Sequence, residues 1–211
     1  MMKKIDMNTW KRKELYDFFS QTTNPFYMIS FRVDVTELKA FTKKHNCSFY
    51  YSLVYLCNKA LASVENFMYV CRKGELFLLD ARTPSFTDMK PGTDIFHIVS
   101  VPAECDILEY CESAKKASEE QQCFIDMNKE GDHLAYFSCV PTLDLTGLTN
   151  EQNFAGEDFA DDNIPRIAWG KYTEQDGRLK LTISMEVNHR FVDGVHIERF
   201  AKRLEELINE L

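Results

Sequence analysis

Several marks of particular chemistries are missing from this sequence. There is no GxGxxG and no Walker A run, which excludes nucleotide-phosphate cradles of those kinds. The cysteines (Cys47, Cys57, Cys71, Cys105, Cys111, Cys123, Cys139) form no CxxC pair and are odd in number. That argues against a disulfide framework or a zinc knuckle and for reduced thiols in a cytoplasmic protein. No stretch approaches the ~20 apolar residues that cross a bilayer. The segment from Met1 to Trp10 holds two lysines with no apolar run behind them, so it does not read as a signal peptide. A basic excess is also missing: the net charge is −8 and the isoelectric point near 5.2. This argues against nucleic acid, whose phosphate backbone demands a concentrated basic surface, while leaving room for a small anionic ligand. With no internal repeat, low-complexity tract or Pro/Gly/Ser-rich linker, residues 1–211 read as a single domain.

What is present is an aromatic-rich globular composition, 45% apolar with 16 Phe and 9 Tyr. Trp10 to Phe19 reads as a first short helix capped by Asn8 or Thr9. Thr36 is the expected N-cap of a second helix, with Leu38 and Phe41 on one face. A longer helix begins at Ser48, where Leu53, Leu56, Ala60 and Leu61 recur at helical spacing. Met68 to Arg72 and Glu75 to Asp80 read as strands joined by a turn at Lys73-Gly74. Ile95 to Val101 and Leu134 to Val140 also read as strands, and Glu104 to Gln122 as a helix turning Ile107, Leu108 and Cys111 inward. The acidic stretch 146–163 is expected to be a surface loop. Ile164 to Thr173 and Arg178 to His189 close the sheet around a Gln175-Asp176-Gly177 turn. The last helix carries Ile197, Phe200, Ala201, Leu204, Leu207, Ile208 and Leu211 in one stripe. Strands and helices interleave without strict βαβ alternation. The expected fold is therefore α/β (α+β), a two-layer sandwich of a mixed β-sheet packed with helices.

The segment from Leu181 to Phe200 carries the chemistry. Leu181, Ile183, Met185 and Val187 share one face of a strand, and Lys180, Thr182, Ser184, Glu186 and Asn188 the other. His189 continues the apolar phase, which places a titratable imidazole at the strand end. Asp193, followed by the turn residue Gly194, can cap the final helix or pair with a cation. The other histidines, His45, His97, His133 and His196, show no metal-ligand spacing, and His196 reads as a surface or packing residue.

The run His189-Arg190-Phe191-Val192-Asp193-Gly194 resembles the HxxxDG core of the chloramphenicol acetyltransferase family. The acyltransferase cores of 2-oxo acid dehydrogenase complexes share that motif. Trp10, Arg12 and Glu14 resemble the same family's WxRxE element. Asp34-Val-Thr, the Phe49-Tyr-Tyr helix, Pro84-Ser-Phe-Thr, Ser138-Cys-Val-Pro141 and Lys171-Tyr172 follow in family order over nearly the whole chain.

The resemblance implies transfer of an acetyl group from acetyl-CoA, as co-substrate, to a hydroxyl of chloramphenicol. It implies no metal and no bound cofactor, and a cytoplasmic homotrimer with active sites between subunits. It makes His189 the general base, Ser138 the oxyanion donor, and Arg12 with Asp193 an ion pair supporting the site. Tyr172 falls on the coenzyme channel, and Phe96 and Tyr27 at the acceptor pocket; each is equally a candidate core side chain. Three positions depart from the family pattern: Asn188 replaces the first histidine of a pair, Thr142 a tryptophan, and Ala168 a threonine. These leave open a different small hydroxylated acceptor, or a non-catalytic binding relative. A dehydrogenase-complex core is disfavoured because no lipoyl domain or linker precedes the fold.

Overall fold

The structure, a computed structural model, describes residues 2–90, 92–152 and 161–211. Fifteen regular elements are assigned among them: β1 (Met2–Lys4), α1 (Lys13–Phe19), β2 (Phe26–Asp34), α2 (Thr36–His45), α3 (Phe49–Ala62), β3 (Tyr69–Arg72), β4 (Glu75–Leu79), β5 (Thr83–Met89), β6 (Phe96–Ser100), α4 (Ile107–Glu120), β7 (Leu134–Cys139), β8 (Arg166–Trp169), β9 (Thr173–Gln175), β10 (Arg178–Asn188) and α5 (Gly194–Asn209). The main sheet runs in the order β2-β10-β8-β7-β5-β6, with β9 pairing a second stretch of β10. The β5–β7 and β7–β8 pairs are parallel, whereas β2–β10, β8–β10, β9–β10 and β5–β6 are antiparallel. A small antiparallel sheet, β1-β4-β3, flanks it. The mixed sheet packed with helices is the expected architecture.

The core lies between the main sheet and α3, α4 and α5. Helix α3 is its axis: Leu53, Leu56, Ala60 and Leu61 are all buried, as their spacing requires, and Ser48 caps the helix by accepting from the Tyr51 N–H. In α5, Ile197, Phe200, Leu204 and Ile208 are buried, but Ala201 and Leu207 are only half-buried and Leu211 lies beyond the helix end. The Lys73-Gly74 and Asp176-Gly177 turns both place two residues at positive φ, the primed geometry that suits a tight hairpin.

Several boundaries differ from the sequence reading, each for a local reason. Helix α1 starts at Lys13, because Asp6 accepts from the Asn8 N–H and the Thr9 hydroxyl and holds that stretch in a turn. Val35, not Thr36, is the N-cap of α2; the Thr36 N–H donates to Asp34 and its hydroxyl accepts from Leu179. Helix α4 is capped by Asp106 and turns Tyr110, Cys111, Ala114 and Ser118 inward, leaving Ile107 and Leu108 half-buried. The strand expected over 164–173 is split after Trp169. At Gly170 the chain after β7 crosses so closely that a Cβ would lie 2.2 Å from the Leu143 carbonyl oxygen, so only glycine fits. Strands β2 and β5 were not expected. Of the loop expected over 146–163, residues 153–160 lie outside the described residues. Its segment 148–152 packs onto β10: the Leu148 N–H donates to Ser184 (2.9 Å), and the Asn150 N–H (2.9 Å) and Gln152 amide (2.6 Å) donate to Glu186. Ser184, Glu186 and Asn188, opposite the apolar face of β10, are therefore buried too.

Candidate active site

Two separate places in the chain carry the residues singled out above. The first lies where β10 runs into α5. The His189 N–H continues the β2 ladder by donating to the Pro25 carbonyl (2.8 Å), after which residues 190–193 turn into the helix. Arg12, buried just before α1, fastens that turn. Its Nε donates to the Arg190 carbonyl (2.8 Å), Nη2 to the His189 carbonyl (2.8 Å), and both terminal nitrogens reach the Asp193 carboxylate. A guanidinium meeting two carbonyls and a bidentate carboxylate is a stiff clamp. It holds Asp193 below the usual carboxylate range, chiefly through its hydrogen bond.

Asp193 both caps and pairs. It is the N-cap of α5, and its N–H donates to His196 Nδ1 (2.8 Å). His196 is therefore a buried helix-capping residue rather than a surface one. Asn188, in place of the family's first histidine, accepts from the Arg190 N–H (3.0 Å) and donates to the Asp162 carbonyl (2.8 Å). It supports the turn from below.

The His189 ring is held mainly by stacking. Phe19 lies 4.0 Å away, centroid to centroid, and Tyr27 4.3 Å away. Its Nε2 is 3.4 Å from Asp193 Oδ1, long for a hydrogen bond. The side chain stays a third exposed. Burial lowers its pKa below 6.5 and outweighs the opposing pull of Asp193. The imidazole is thus neutral near pH 7, the form that accepts a proton. The Tyr27 hydroxyl donates to the Val192 carbonyl (3.2 Å) and is pushed up to about 12 by burial and then by Asp193.

The second place is a parting in the sheet. Strands β5 and β7 pair from Thr83 with Leu134 to Phe86 with Phe137, and then separate. Beyond that point the Thr87 hydroxyl donates to Ser138 Oγ (3.2 Å), and the Ser138 hydroxyl hydrogen has no acceptor among the described residues. Two cavities meet there. One, of about 540 Å³, includes Thr87, Phe96, Tyr136, Ser138, Asn150 and Arg166 in its wall. The other, of about 440 Å³, includes Tyr50, Tyr51, Asp88, Phe96, Ser138 and Cys139. Because residues alternate along a strand, Thr87 and Ser138 face the loop side of the sheet, and Asp88 and Cys139 the helix side. The two cavities therefore approach Ser138 from opposite faces.

Neither cavity contains His189, Tyr27 or Tyr172. Phe96 stands in both walls, 45% exposed and packed on Phe124. Tyr172 packs against Phe49 (5.5 Å), with Lys39 Nζ 5.7 Å from its ring. Ala168 is buried in β8 between Ser138 and Ser184, and Thr142 is exposed after β7. That register also gives the separation of histidine and serine. Ser138 aligns with Ala168 and Ala168 with Ser184, five residues short of His189. At ~3.3 Å per residue and ~4.8 Å per strand, the two lie about 16 Å apart along β10 and about 10 Å across the sheet.

Sequence reasoning missed two polar features. Arg82 is buried and donates to the carbonyls of Phe67, Tyr69, Asp132 and Leu134, tying β7 to the segment from Glu65 to Tyr69. Asp88 receives hydroxyls from two helices. Both depend on partners far apart in the chain, which no local pattern signals. Among the described residues no group of three or more His, Cys, Asp or Glu side chains is placed to hold a metal, and no helix is long and apolar enough to cross a membrane.

Comparison with known proteins bears on this arrangement. Chloramphenicol acetyltransferase 3 of Escherichia coli is 27% identical over 98% of this chain and 96% of its own. A chloramphenicol acetyltransferase of Clostridium perfringens is 28% identical over 99% of each. A solved chloramphenicol acetyltransferase superposes with a TM-score of 0.87 at 24% identity, covering 99% of this chain and 100% of its own. The cubic core of the pyruvate dehydrogenase multienzyme complex shares the fold at a TM-score of 0.69 and 20% identity, over 92% of this chain and 85% of its own. The sequence profile of the chloramphenicol acetyltransferase family matches residues 1–205, and the chain belongs to that family.

Proposed function

We propose that the protein transfers an acetyl group from acetyl-CoA to a hydroxyl of chloramphenicol, as a cytoplasmic homotrimer whose active sites lie between subunits. The observation that carries this reading is the meeting of two cavities, from opposite faces of the sheet, at one serine whose hydroxyl hydrogen has no acceptor among the described residues. Such a junction suits two substrates that react directly with each other. His189 takes the proton of the acceptor hydroxyl as its oxygen attacks the thioester carbonyl. The new C–O bond forms, the carbonyl oxygen gathers charge, and the Ser138 hydroxyl donates to it. The C–S bond then breaks, and the proton held by His189 goes to the departing thiolate.

A small acceptor cannot reach a base and an oxyanion donor separated as His189 and Ser138 are within one chain, since each must lie about 3 Å from the reacting atoms. The His189 of one subunit is therefore read as serving the Ser138 of its neighbour. The surroundings of His189 suit such a contact. Helix α1 buries none of its own residues and exposes Leu15 and Phe18, and β2 is an edge strand. A patch around His189 meeting a different patch around Ser138 is a heterologous contact, the kind that closes into rings. Under this reading Tyr27 and Phe96, remote within the chain, come to one acceptor pocket, and Arg12 with Asp193 supports the base.

The test is release of CoA thiol when chloramphenicol is added to purified protein and acetyl-CoA, with His189→Ala as the blank. Transfer with a raised KM is expected. Ala168 withholds a hydrogen bond that a threonine offers, and a neutral bond is worth up to about tenfold in affinity. No signal above the blank at millimolar drug, from protein shown to bind acetyl-CoA, means a different hydroxylated acceptor.

A further inference from the structure

Asp88 is the penultimate residue of β5, on the helix side of the sheet, and its carboxylate is held from three directions. The Tyr51 hydroxyl from α3 donates to Oδ2, the Ser118 hydroxyl from α4 donates to Oδ2 at 2.8 Å, and the Met89 N–H donates to Oδ1 at 2.8 Å. Ser118 Oγ also lies 2.9 Å from Nε2 of His97, which is 1% exposed. Because the single hydroxyl proton of Ser118 goes to Asp88, its oxygen accepts from His97, which fixes the Nε2–H tautomer. His97 Nδ1 is then left buried with no partner among the described residues. Every proton in the chain His97–Ser118–Asp88–Tyr51 points toward Asp88. A carboxylate offers about four acceptor positions, and three are filled by donors among the described residues. Asp88 stands in the wall of the 440 Å³ cavity that reaches Ser138.

We infer that this remaining acceptor position receives an amide N–H of the pantetheine arm of acetyl-CoA, making Asp88 a binding residue for the acyl donor and Ser118, Tyr51 and His97 its positioning residues. The inference rests on the acetyl-transfer reading above. The order of chemical groups favours the donor over the acceptor. Leading away from Ser138, the wall offers Asp88 among Tyr50, Tyr51, Phe96 and Pro141. Beyond it, Phe49, between Ser48 and Tyr50 of that wall, packs on Tyr172, over which Lys39 stands. An oxyanion donor, then a lone carboxylate among neutral side chains, then a cation is the complement of a thioester, then amides, then phosphates. The other cavity carries Glu130, Glu151 and Arg166 and shows no such order.

The experiment measures CoA binding by calorimetry, with KM values for acetyl-CoA and for the acceptor, in wild type, Asp88→Ala and Ser118→Ala. Asp88→Ala is expected to weaken CoA about ten- to a hundredfold, as for a hydrogen bond to a charged group, and to raise the acetyl-CoA KM alike. The acceptor KM and kcat should stay within about twofold. Ser118→Ala keeps the carboxylate but loses one of its fixing donors, and should weaken CoA about threefold; it carries the test if Asp88→Ala does not fold. Pantetheine alone should lose affinity with Asp88→Ala but not with Lys39→Ala. Unchanged CoA affinity in both Asp88→Ala and Ser118→Ala, a rise confined to the acceptor KM, or no CoA binding by the wild type overturns the inference. CoA binding that responds as described, without any acetyl transfer, counts against the functional reading alone.

Discussion

The His189 end of β10 and the Ser138 parting of β5 and β7 are built on opposite plans. At His189 the neighbours are spent on placing one side chain: Arg12 clamps the turn, Asn188 supports it, Phe19 and Tyr27 pack against the ring, and the imidazole stays a third exposed. At Ser138 the strands separate, the walls are mixed and roomy, and no histidine is present among the residues lining the cavities. One region is a positioned reagent without a pocket, and the other a pocket without a reagent. Neither is a site alone, and that difference is what the proposed sharing of each site between two subunits accounts for.

The sharpest way to break this contrast is to remove the reagent. His189→Ala should lower turnover by about 10²–10⁴ with the melting temperature nearly unchanged, since the ring is stacked rather than bonded into the core. Ser138→Ala should cost about 10²–10³ in kcat, the range for a single oxyanion donor. Steady-state rates on folded protein decide both. A His189→Ala variant that keeps more than about a third of wild-type activity contradicts the assignment.

The clamp is next in size. Arg12→Ala leaves the Asp193 carboxylate and two carbonyls without their donor, and should cost about 3–5 kcal/mol, nearer the lower figure because Asp193 is partly exposed. Asp193→Asn should harm stability and rate together. In the double variant the losses should fall well short of the sum, and purely additive losses in denaturant unfolding would show that the residues are uncoupled.

A smaller effect comes from pH. His189 has its pKa lowered in the fold, so the folded protein holds fewer protons than the unfolded chain just below pH 6.5. Its neutral form is fully present above that range, and both its contribution to stability and its competence as a base are lost as pH falls through the folded pKa. The kcat/KM profile should show one acid limb with an apparent pKa below 6.5. A midpoint above 7 contradicts burial as the dominant influence on His189.

How much of this was legible in the sequence follows from where each signal is stored. Helices α3 and α5 were legible because their buried residues recur at helical spacing without interruption, and β10 because its apolar face alternates to the end. Strand β2 hid because as an edge strand it alternates poorly: Met28, Ile29 and Phe31 are only half-buried. Strand β5 hid because Pro84 and the polar Ser85, Thr87 and Asp88 interrupt any apolar alternation along it. At the site, His189, Asp193 and Arg12 were legible as a motif, and the structure brings those three together. Ser138, Phe96 and Tyr172 were named by resemblance, and within one chain they stay apart from the histidine. The hydroxyl donors to Asp88 come from α3 and α4, and the histidine behind Ser118 from β6, so their meeting depends on packing and left no trace along the chain.

The most direct test of the central claim is complementation between two inactive variants. His189→Ala and Ser138→Ala proteins are unfolded together in equal amounts, refolded, and assayed for thiol release beside each variant refolded alone. If each site takes its histidine from one subunit and its serine from the next, random mixing leaves about a quarter of the sites with both groups intact in a closed heterologous ring. Recovery of about a quarter of wild-type activity is the predicted result. Activity no greater than that of the separate variants, in a mixture shown to contain hybrid oligomers, would mean that each chain uses its own histidine and serine, and would contradict the account.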